Sequence, residues 1–525
     1  MKKIVAIISC LVIGLSGYFF LYQPNASKPE SPFKQYQPLM ANSYRVGFTT
    51  LNTETNNHII PVTGKMPEWL SGTLFRNGPA QFTSNGHWVT NWFDGLAMIH
   101  AFSFSHGIVS YANKFLRSDD YNWVKKTGKM SYAGFAQDPC KARFKQLFSW
   151  FKDMPTTRPQ MPNANVNIVQ YGNHFVALTE TPLPIEFDAG TLDTVGVMEY
   201  QDNYPKKDIH ETAHPHYDPE RKEHIGYFTQ FGLTSTHNVY RIADGATKRE
   251  IIYSYPVKEP SYMHSFSITQ KYAILTLLPL VVNPLSQLFA RKAFIKNFKW
   301  KPRLGTKFVV IDRINGTLKG VYTTRPFFAF HTVNAFETQD NLVIDIIVYP
   351  QELHIEEADF ATLLAPQEKK SNVSSLNQSD VGKITRFTIN FSDKTLQDQE
   401  LLSALIELPR INYEKINGRE YRYVYAVSKT EPHPFIADTL VKLDLTTKAS
   451  SIWSHVNCFP GEPVFVRDPR GKLEDDGVIL SVVLDATKQT SFLLVLDART
   501  FTELARAQVA HHIPVGIHGI YAHLN

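Results

Sequence analysis

Cysteine is almost missing from this chain. Of its 525 residues three are cysteine, and Cys10 sits within an apolar leader, which leaves Cys140 and Cys458 for the folded part. Two thiols cannot build a disulfide framework, and without a Cys-x-x-Cys pair a thiolate zinc site is excluded by counting. Charge of one sign is also scarce. A net charge of +5 over this length gives no reason to expect non-specific nucleic-acid binding. Long helical periodicity is equally rare, so an all-helical body is not expected. Bulky apolar residues are what remain: 43% of the chain is hydrophobic, with 35 Phe and 24 Tyr against 20% charged residues, the composition of a globular protein with a large core.

The N-terminus opens with two lysines followed by a run from Ile4 to Leu21 that is nearly all apolar, long enough to approach a membrane span. No Ala-x-Ala cleavage site follows, so residues 1–23 are expected to form a signal-anchor, with a cleaved signal or a buried helix as alternatives. Lys2 and Lys3 would place the following domain on the non-cytoplasmic side of that membrane. The polar, proline-punctuated stretch "PNASKPESP" begins a linker over residues 24–44, and residues 45–525 form the main body.

In that body short β-branched and aromatic runs dominate, among them "FVALTE", "KFVVID", "NLVIDIIVYP" and "VILSVVLD". Each is closed by turn residues, as in antiparallel meanders. A faint repeat runs through "EFDAGTLDTVG", "VIDRINGTLKG", "KLDLTTKASS" and "VLDARTFTEL": an apolar strand ending in Asp, a short turn with Thr, and a returning strand. The last two copies lie about 50 residues apart, which fits one four-stranded blade of a β-propeller. The expected fold class is therefore all-β and a single propeller, with a β-sandwich as the alternative.

Four histidines stand at the ends or edges of apolar segments: His214 in "TAHPH", His264 in "SYMHSFSI", His331 in "FFAFHTVNAFE" and His518 in "PVGIHGIY". Singly, each reads as a packed or hydrogen-bonded side chain. Jointly, in a propeller whose innermost strands face one axis, they could converge on a metal. Imidazole suits iron, copper, zinc and nickel, and four of them on Fe(II) would leave two octahedral positions open. Carboxylates accepting the remaining ring N–H groups would fix such ligands; Glu180, Glu407 and Glu462 end strands beside proline or apolar residues, where an unpaired charge is unfavourable.

With these residues in view, the chain resembles the carotenoid cleavage oxygenase family. "GTLFRNGPAQF", "WFDGLAMIHAF", "TAHPHYDP", "MHSFSIT", "FHTVNAFE", "EPVFV", "EDDGVILSVV" and "GIHGIY" match its signatures in order from about residue 45 to the C-terminus. "DPCK" and "ALTET" are similar to the group of animal carotene oxygenases and the retinoid isomerohydrolase. The resemblance implies a seven-bladed propeller with a helical and loop cap over its metal-bearing face. It implies Fe(2+) held by the catalytic ligands His214, His264, His331 and His518, with Glu180, Glu407 and Glu462 behind them and Glu180 serving the first ligand. His216 is read as a structural neighbour, because the next-but-one ring on an extended strand need not share the ligand's target.

The activity implied is oxidative cleavage of a carbon–carbon double bond, with an apolar polyene and dioxygen as substrates and two carbonyl products. Stilbene-cleaving relatives place a lysine just before the glutamate that is Glu180 here. This chain has Thr179 there, which favours a carotenoid or apocarotenoid. Stilbene cleavage, retinoid isomerisation and a non-catalytic carotenoid-binding propeller are the alternatives. Membrane contact is expected from the leader and from Leu275–Arg303, where Phe294, Phe298 and Trp300 alternate with Lys292, Lys296 and Lys299. No nucleic-acid partner and no obligate protein partner are expected.

Overall fold

The computed structural model describes residues 43–130, 161–204, 209–232, 234–284, 293–351, 358–364, 382–402, 405–430 and 436–524. The leader, most of the linker, Cys140, "DPCK" and Lys292 lie outside them. Among the described residues seven antiparallel sheets of four or more strands follow one another, each a propeller blade. Their axis-facing strands are Gly519–Ala522 (blade I), Asn167–Tyr171 (II), Ile209–Glu211 with His216–Asp218 (III), Ser267–Ile268 (IV), Thr332–Glu337 (V), Ile406–Arg410 (VI) and Cys458–Pro460 with Val464–Arg467 (VII).

Burial follows position within a blade. Second strands such as Tyr272–Leu277 and Asn341–Val348 are buried on both faces and read as unbroken apolar runs, whereas the outermost strand Thr317–Thr324 of blade IV meets solvent along most of its length. The core is divided accordingly. Phe308, Val310, Leu342, Ile344 and Phe387 fill the gap between blades IV and V, and Val424, Val441, Phe336 and Val343 that between V and VI. Each remaining pair of neighbours encloses its own cluster. Blade-to-blade packing is thus the unit of hydrophobic stabilisation.

The Asp-Thr repeat has a local cause. In blades IV, VI and VII the third strand ends at Asp312, Asp444 and Asp497, and in blade II Asp188 directly follows it. Each carboxylate accepts the backbone N–H groups two and three residues on. Four residues after each Asp, Leu192, Gly316, Lys448 and Phe501 adopt φ between 59° and 64° and return a backbone N–H to the Asp carbonyl. One hairpin loop, an Asx turn closed by a left-handed residue, is therefore reused to join third and fourth strands.

Both ends of the body stitch the ring shut. Val62–Gly64 pairs with Glu503–Gln508 at the rim of blade VII, and Gly519–Ala522 pairs with Gly72–Gln81 in blade I. An eighth apolar cluster lies apart from the blade interfaces. It joins Phe48 and Trp92 to Val124 of the helix Asp119–Thr127, to Phe360 and Leu363 of a short helix, and to Ile517 beside His518. This is the described part of the helical and loop cap.

The segment 275–303 differs from its expected role. Leu275, Leu278, Leu280, Val282, Ile295 and Phe298 are core residues, Phe294 and Trp300 pack against that core, and Leu280–Val281 pairs with Lys299–Trp300. The aromatic–cationic alternation separates inside from outside: Lys296 and Lys299 are exposed while the rings turn inward. Phe294, Phe298 and Trp300 therefore do not form a lipid-facing row. Among the described residues no helix is long and apolar enough to cross a membrane.

Candidate metal centre

One polar residue from each blade reaches a common centre on the axis. His264 lies three residues before the inner strand of blade IV, His331 and His518 immediately precede those of blades V and I, and His214 occupies the break in that of blade III. Glu180 follows the second strand of blade II, Glu407 lies on the inner strand of blade VI, and Glu462 fills the break in that of blade VII. All of these positions but Glu407 thus lie outside regular strands, where a side chain is free of strict strand alternation.

The four imidazoles bring one nitrogen each to within 4.8 Å of all the others. His214 Nε2 lies 2.8 Å from His264 Nε2, and His331 Nε2 lies 3.2 Å from His518 Nε2. Around the ring 214–264–331–518 adjacent centroids are 4.5 to 5.1 Å apart, and the diagonals 5.4 and 6.3 Å. Glu180 accepts His264 Nδ1 at 2.7 Å, Glu407 accepts His331 Nδ1 at 2.6 Å, and Glu462 accepts His518 Nδ1 at 2.8 Å. Glu180 therefore serves the second histidine. It reaches from blade II past blade III to blade IV, a crossing that sequence order does not reveal. His214 has no carboxylate; its backbone N–H donates to Thr212 Oγ1, which in turn donates to the His264 carbonyl.

Protonation follows from these contacts. Three rings donate Nδ1–H to a carboxylate, so in the neutral tautomer their Nε2 atoms carry lone pairs. Burial holds His214 well below the usual histidine range, reinforced by the neighbouring imidazoles. Burial likewise depresses His264, and it takes His518 down to about 3 against the opposing pull of Glu462. Glu180 sits at about 2: burial pushes it up, and His210 and His264 more than offset that. Glu407 is lowered and Glu462 lies well below the carboxylate range, each by its donors against the same burial. With Nδ1–H given to the three carboxylates, the Nε2 atoms of His264, His331 and His518 are the ones turned towards the centre. Lone pairs 3.2 Å apart, as on His331 and His518, need an electropositive body between them, and a metal cation fits that need. Imidazole nitrogens suit Fe, Co, Ni, Cu or Zn and disfavour Mg or Ca.

His216 stands outside the cluster. Its Nδ1 meets the Tyr413 hydroxyl at 2.8 Å and its Nε2 the Phe266 carbonyl at 2.9 Å, a packed structural role.

Five further residues at the centre were not singled out from sequence. Tyr262 and His210 both donate to Glu180, at 2.9 and 3.0 Å, and the His210 ring stacks on Phe294. Tyr349 donates to Glu407 at 2.7 Å. Arg76 and Arg410 both donate to Glu462. Weak signals existed: Arg76 stands inside "GTLFRNG", Arg410 three residues beyond Glu407, and Tyr262 two before His264. Beside the metal cluster the half-buried Phe330 packs 5.4 Å from His264, an apolar neighbour for a bound substrate.

Comparison with known proteins agrees with the propeller fold. The family model described as retinal pigment epithelial membrane protein matches residues 48–523. The chain is 32% identical to the mitochondrial carotenoid-cleaving dioxygenase of Mustela putorius furo, over 88% of this chain and 93% of the relative. It is also 32% identical to the human beta,beta-carotene 15,15'-dioxygenase, over 88% and 91%. A mutant of Synechocystis apocarotenoid oxygenase superposes with a TM-score of 0.79 at 27% identity, covering 93% of this chain and 99% of that one. The same Synechocystis oxygenase has been solved in cobalt-substituted form, again with a TM-score of 0.79 at 27% identity over 92% and 98% of the two chains.

Proposed function

The chain belongs to the carotenoid oxygenase family, and from that premise we propose that it is an Fe(II)-dependent dioxygenase cleaving one carbon–carbon double bond of a carotenoid or apocarotenoid into two carbonyl products. The observation that carries this reading is the convergence of four imidazole nitrogens within 4.8 Å. His214, His264, His331 and His518 would hold the ion, with Glu180, Glu407 and Glu462 fixing three of the rings. Iron, when bound, would supply the binding and activation of dioxygen. The chain's own residues orient the rings, exclude water and hold the polyene. Phe330 offers an apolar surface beside His264. Thr179 offers no cation to a phenolic substrate, which favours a carotenoid over a stilbene.

The catalytic unit in this reading is residues 45–525, joined by the linker 24–44 to the leader 1–23, whose apolar run would tether the propeller to a membrane with the catalytic domain on the non-cytoplasmic side. The exposed Lys296 and Lys299 would meet anionic headgroups without help from the neighbouring rings. Incubating Fe(II)-loaded protein with carotenoids, apocarotenals, stilbenes and retinyl esters, followed by mass analysis, tests the assignment. Aldehydes from a carotenoid or apocarotenal are expected. A geometric isomer of a retinoid, with no aldehyde from any polyene, overturns it.

A further inference from the structure

The three carboxylates behind the histidines have the same task and different company. Glu407 receives His331 Nδ1, the Tyr349 hydroxyl and the Leu408 N–H. Glu180 receives His264 Nδ1, the Tyr262 hydroxyl and His210 Nε2. Among the described residues neither is hydrogen-bonded by a guanidinium or an ammonium. Glu462 receives His518 Nδ1 and the Gly519 N–H, together with Arg410 Nε at 2.9 Å and a guanidinium nitrogen of Arg76.

The same two arginines also grip the backbone on either side of the ligand. Arg76 Nη2 donates to the Ile517 carbonyl at 3.1 Å and Arg410 Nη2 to the Gly519 carbonyl at 2.6 Å. His518 is thus held through its ring and through both neighbouring peptides. Arg76 and Glu462 are buried, and Arg410 retains 26% of its side-chain exposure.

We propose that Arg76 and Arg410 are positioning residues of the metal centre, which neutralise Glu462 so that His518 becomes the weakest donor among the three carboxylate-backed ligands and the centre is biased towards the lower oxidation state of its metal. The inference rests on the reading of the four histidines as metal ligands. A carboxylate raises the donor strength of the imidazole it accepts from, and charge and hydrogen bonding behind the ligands tune a metal's potential. A carboxylate shared with two permanent cations withdraws less from the ring N–H.

Charge accounting points the same way. With neutral imidazoles, three carboxylates and two guanidiniums leave the ligand shell with one net negative charge; without the guanidiniums it would carry three. The less negative shell favours M(II) over M(III).

The test compares the Fe(III)/Fe(II) midpoint potential of full-length wild type, Arg410→Gln and Arg410→Lys, each loaded with Fe(II). Loss of the cation in Arg410→Gln should raise the preference for Fe(III) about tenfold, a fall of about 59 mV for a one-electron couple. Arg410→Lys, which keeps the charge and loses the fork, should stay within about threefold of wild type. An unshifted Arg410→Gln, or an Arg410→Lys shifted as far as Arg410→Gln, overturns the inference. A wild type that binds no Fe(II) overturns the metal reading itself and is recognised before any variant is compared.

A second measurement needs no substitution, should Arg410→Gln fail to fold. In wild-type protein loaded with Zn(II) and labelled at the histidine ring nitrogens, the Nδ1–H proton of His518 should resonate upfield of those of His264 and His331. A His518 proton as far downfield as the other two overturns the inference.

Discussion

Two buried polar clusters lie within a few residues of each other on blade III, and they are built on opposite terms. Around Arg249 every charge is answered. Asp202 takes its Nε and Nη2 at 2.8 and 3.0 Å, Glu211 takes Nη1 at 3.1 Å, and the Tyr240 and Tyr200 hydroxyls complete Glu211. The guanidinium lies 4.1 Å from the Tyr200 ring centroid and 5.2 Å from that of Phe228. Three residues beyond Glu211, His214 enters the histidine cluster, where four ring nitrogens lie within 4.8 Å of one another and three of the rings turn Nδ1 away to a carboxylate. A buried charge that serves the fold has its partners inside the protein. Four ring nitrogens brought from four blades to one point have instead the arrangement of a ligand set, and that difference marks the candidate site more sharply than burial does.

The comparison breaks most visibly by substitution on each side. His264→Ala or His518→Ala should abolish metal retention, measured as iron per chain after dialysis, while the unfolding transition survives. Arg249→Met should do the reverse. It strands Asp202 and Glu211 without their cation and should lower the unfolding free energy by about 3–5 kcal/mol in urea titration, while the molecules that remain folded bind Fe(II) as wild type does. Loss of folding in the histidine variants together with an unchanged Arg249→Met would invert the assignment.

A smaller effect is expected at Glu407, which touches a ligand without being one. Glu407→Gln keeps the volume, weakens the support of His331, and should reduce metal affinity about 10- to 100-fold, read by competition with a chelator of known affinity. An unaltered affinity would make Glu407 a bystander.

The fold has a pH dependence of its own, apart from the metal. Burial is the main cause that lowers His100 and His237 to about 3 and His224 to about 4. In the unfolded chain these rings return to the ordinary value of about 6.5. Below that value the unfolded state binds more protons, so their stabilisation is complete above about pH 6.5 and is lost as pH falls towards 4, by about 1.4 kcal/mol per unit per ring. Between about pH 7 and pH 5, His237→Gln should therefore lose about 2 kcal/mol less than wild type. Parallel losses in the two proteins would show that His237 is not kept neutral by the fold.

The smallest effect is expected from deleting residues 1–30, which should leave the unfolding free energy within about 0.5 kcal/mol of the full chain. A truncated protein that unfolds or aggregates without detergent would make the leader part of the fold.

Much of this was legible in the chain, for reasons that can be stated. Blades announce themselves because one loop type recurs: Asp188, Asp312, Asp444 and Asp497 cap the same turn, so a local constraint repeats in sequence. The four histidines became legible as a set only because the inner strands of a propeller share an axis and family motifs surround each one. What stayed hidden depends on closure of the ring. Glu180 pairs with His264 across an intervening blade, and Arg76 meets Glu462 only because the first and last blades are neighbours. The segment around Phe294, Phe298 and Trp300 misled for the opposite reason. Interleaved aromatic and basic residues look the same whether the rings turn towards lipid or, as here, towards the core between blades IV and V.

The central claim, that the four-histidine centre carries out oxidative double-bond cleavage, is tested most directly by isotope. Fe(II)-loaded protein should be given its best polyene substrate under 18O-labelled dioxygen, and both carbonyl products trapped at once and weighed. The account predicts one labelled oxygen in each product, and no product from His518→Ala. Label in only one product, label arriving from water, or full turnover by His518→Ala would contradict it.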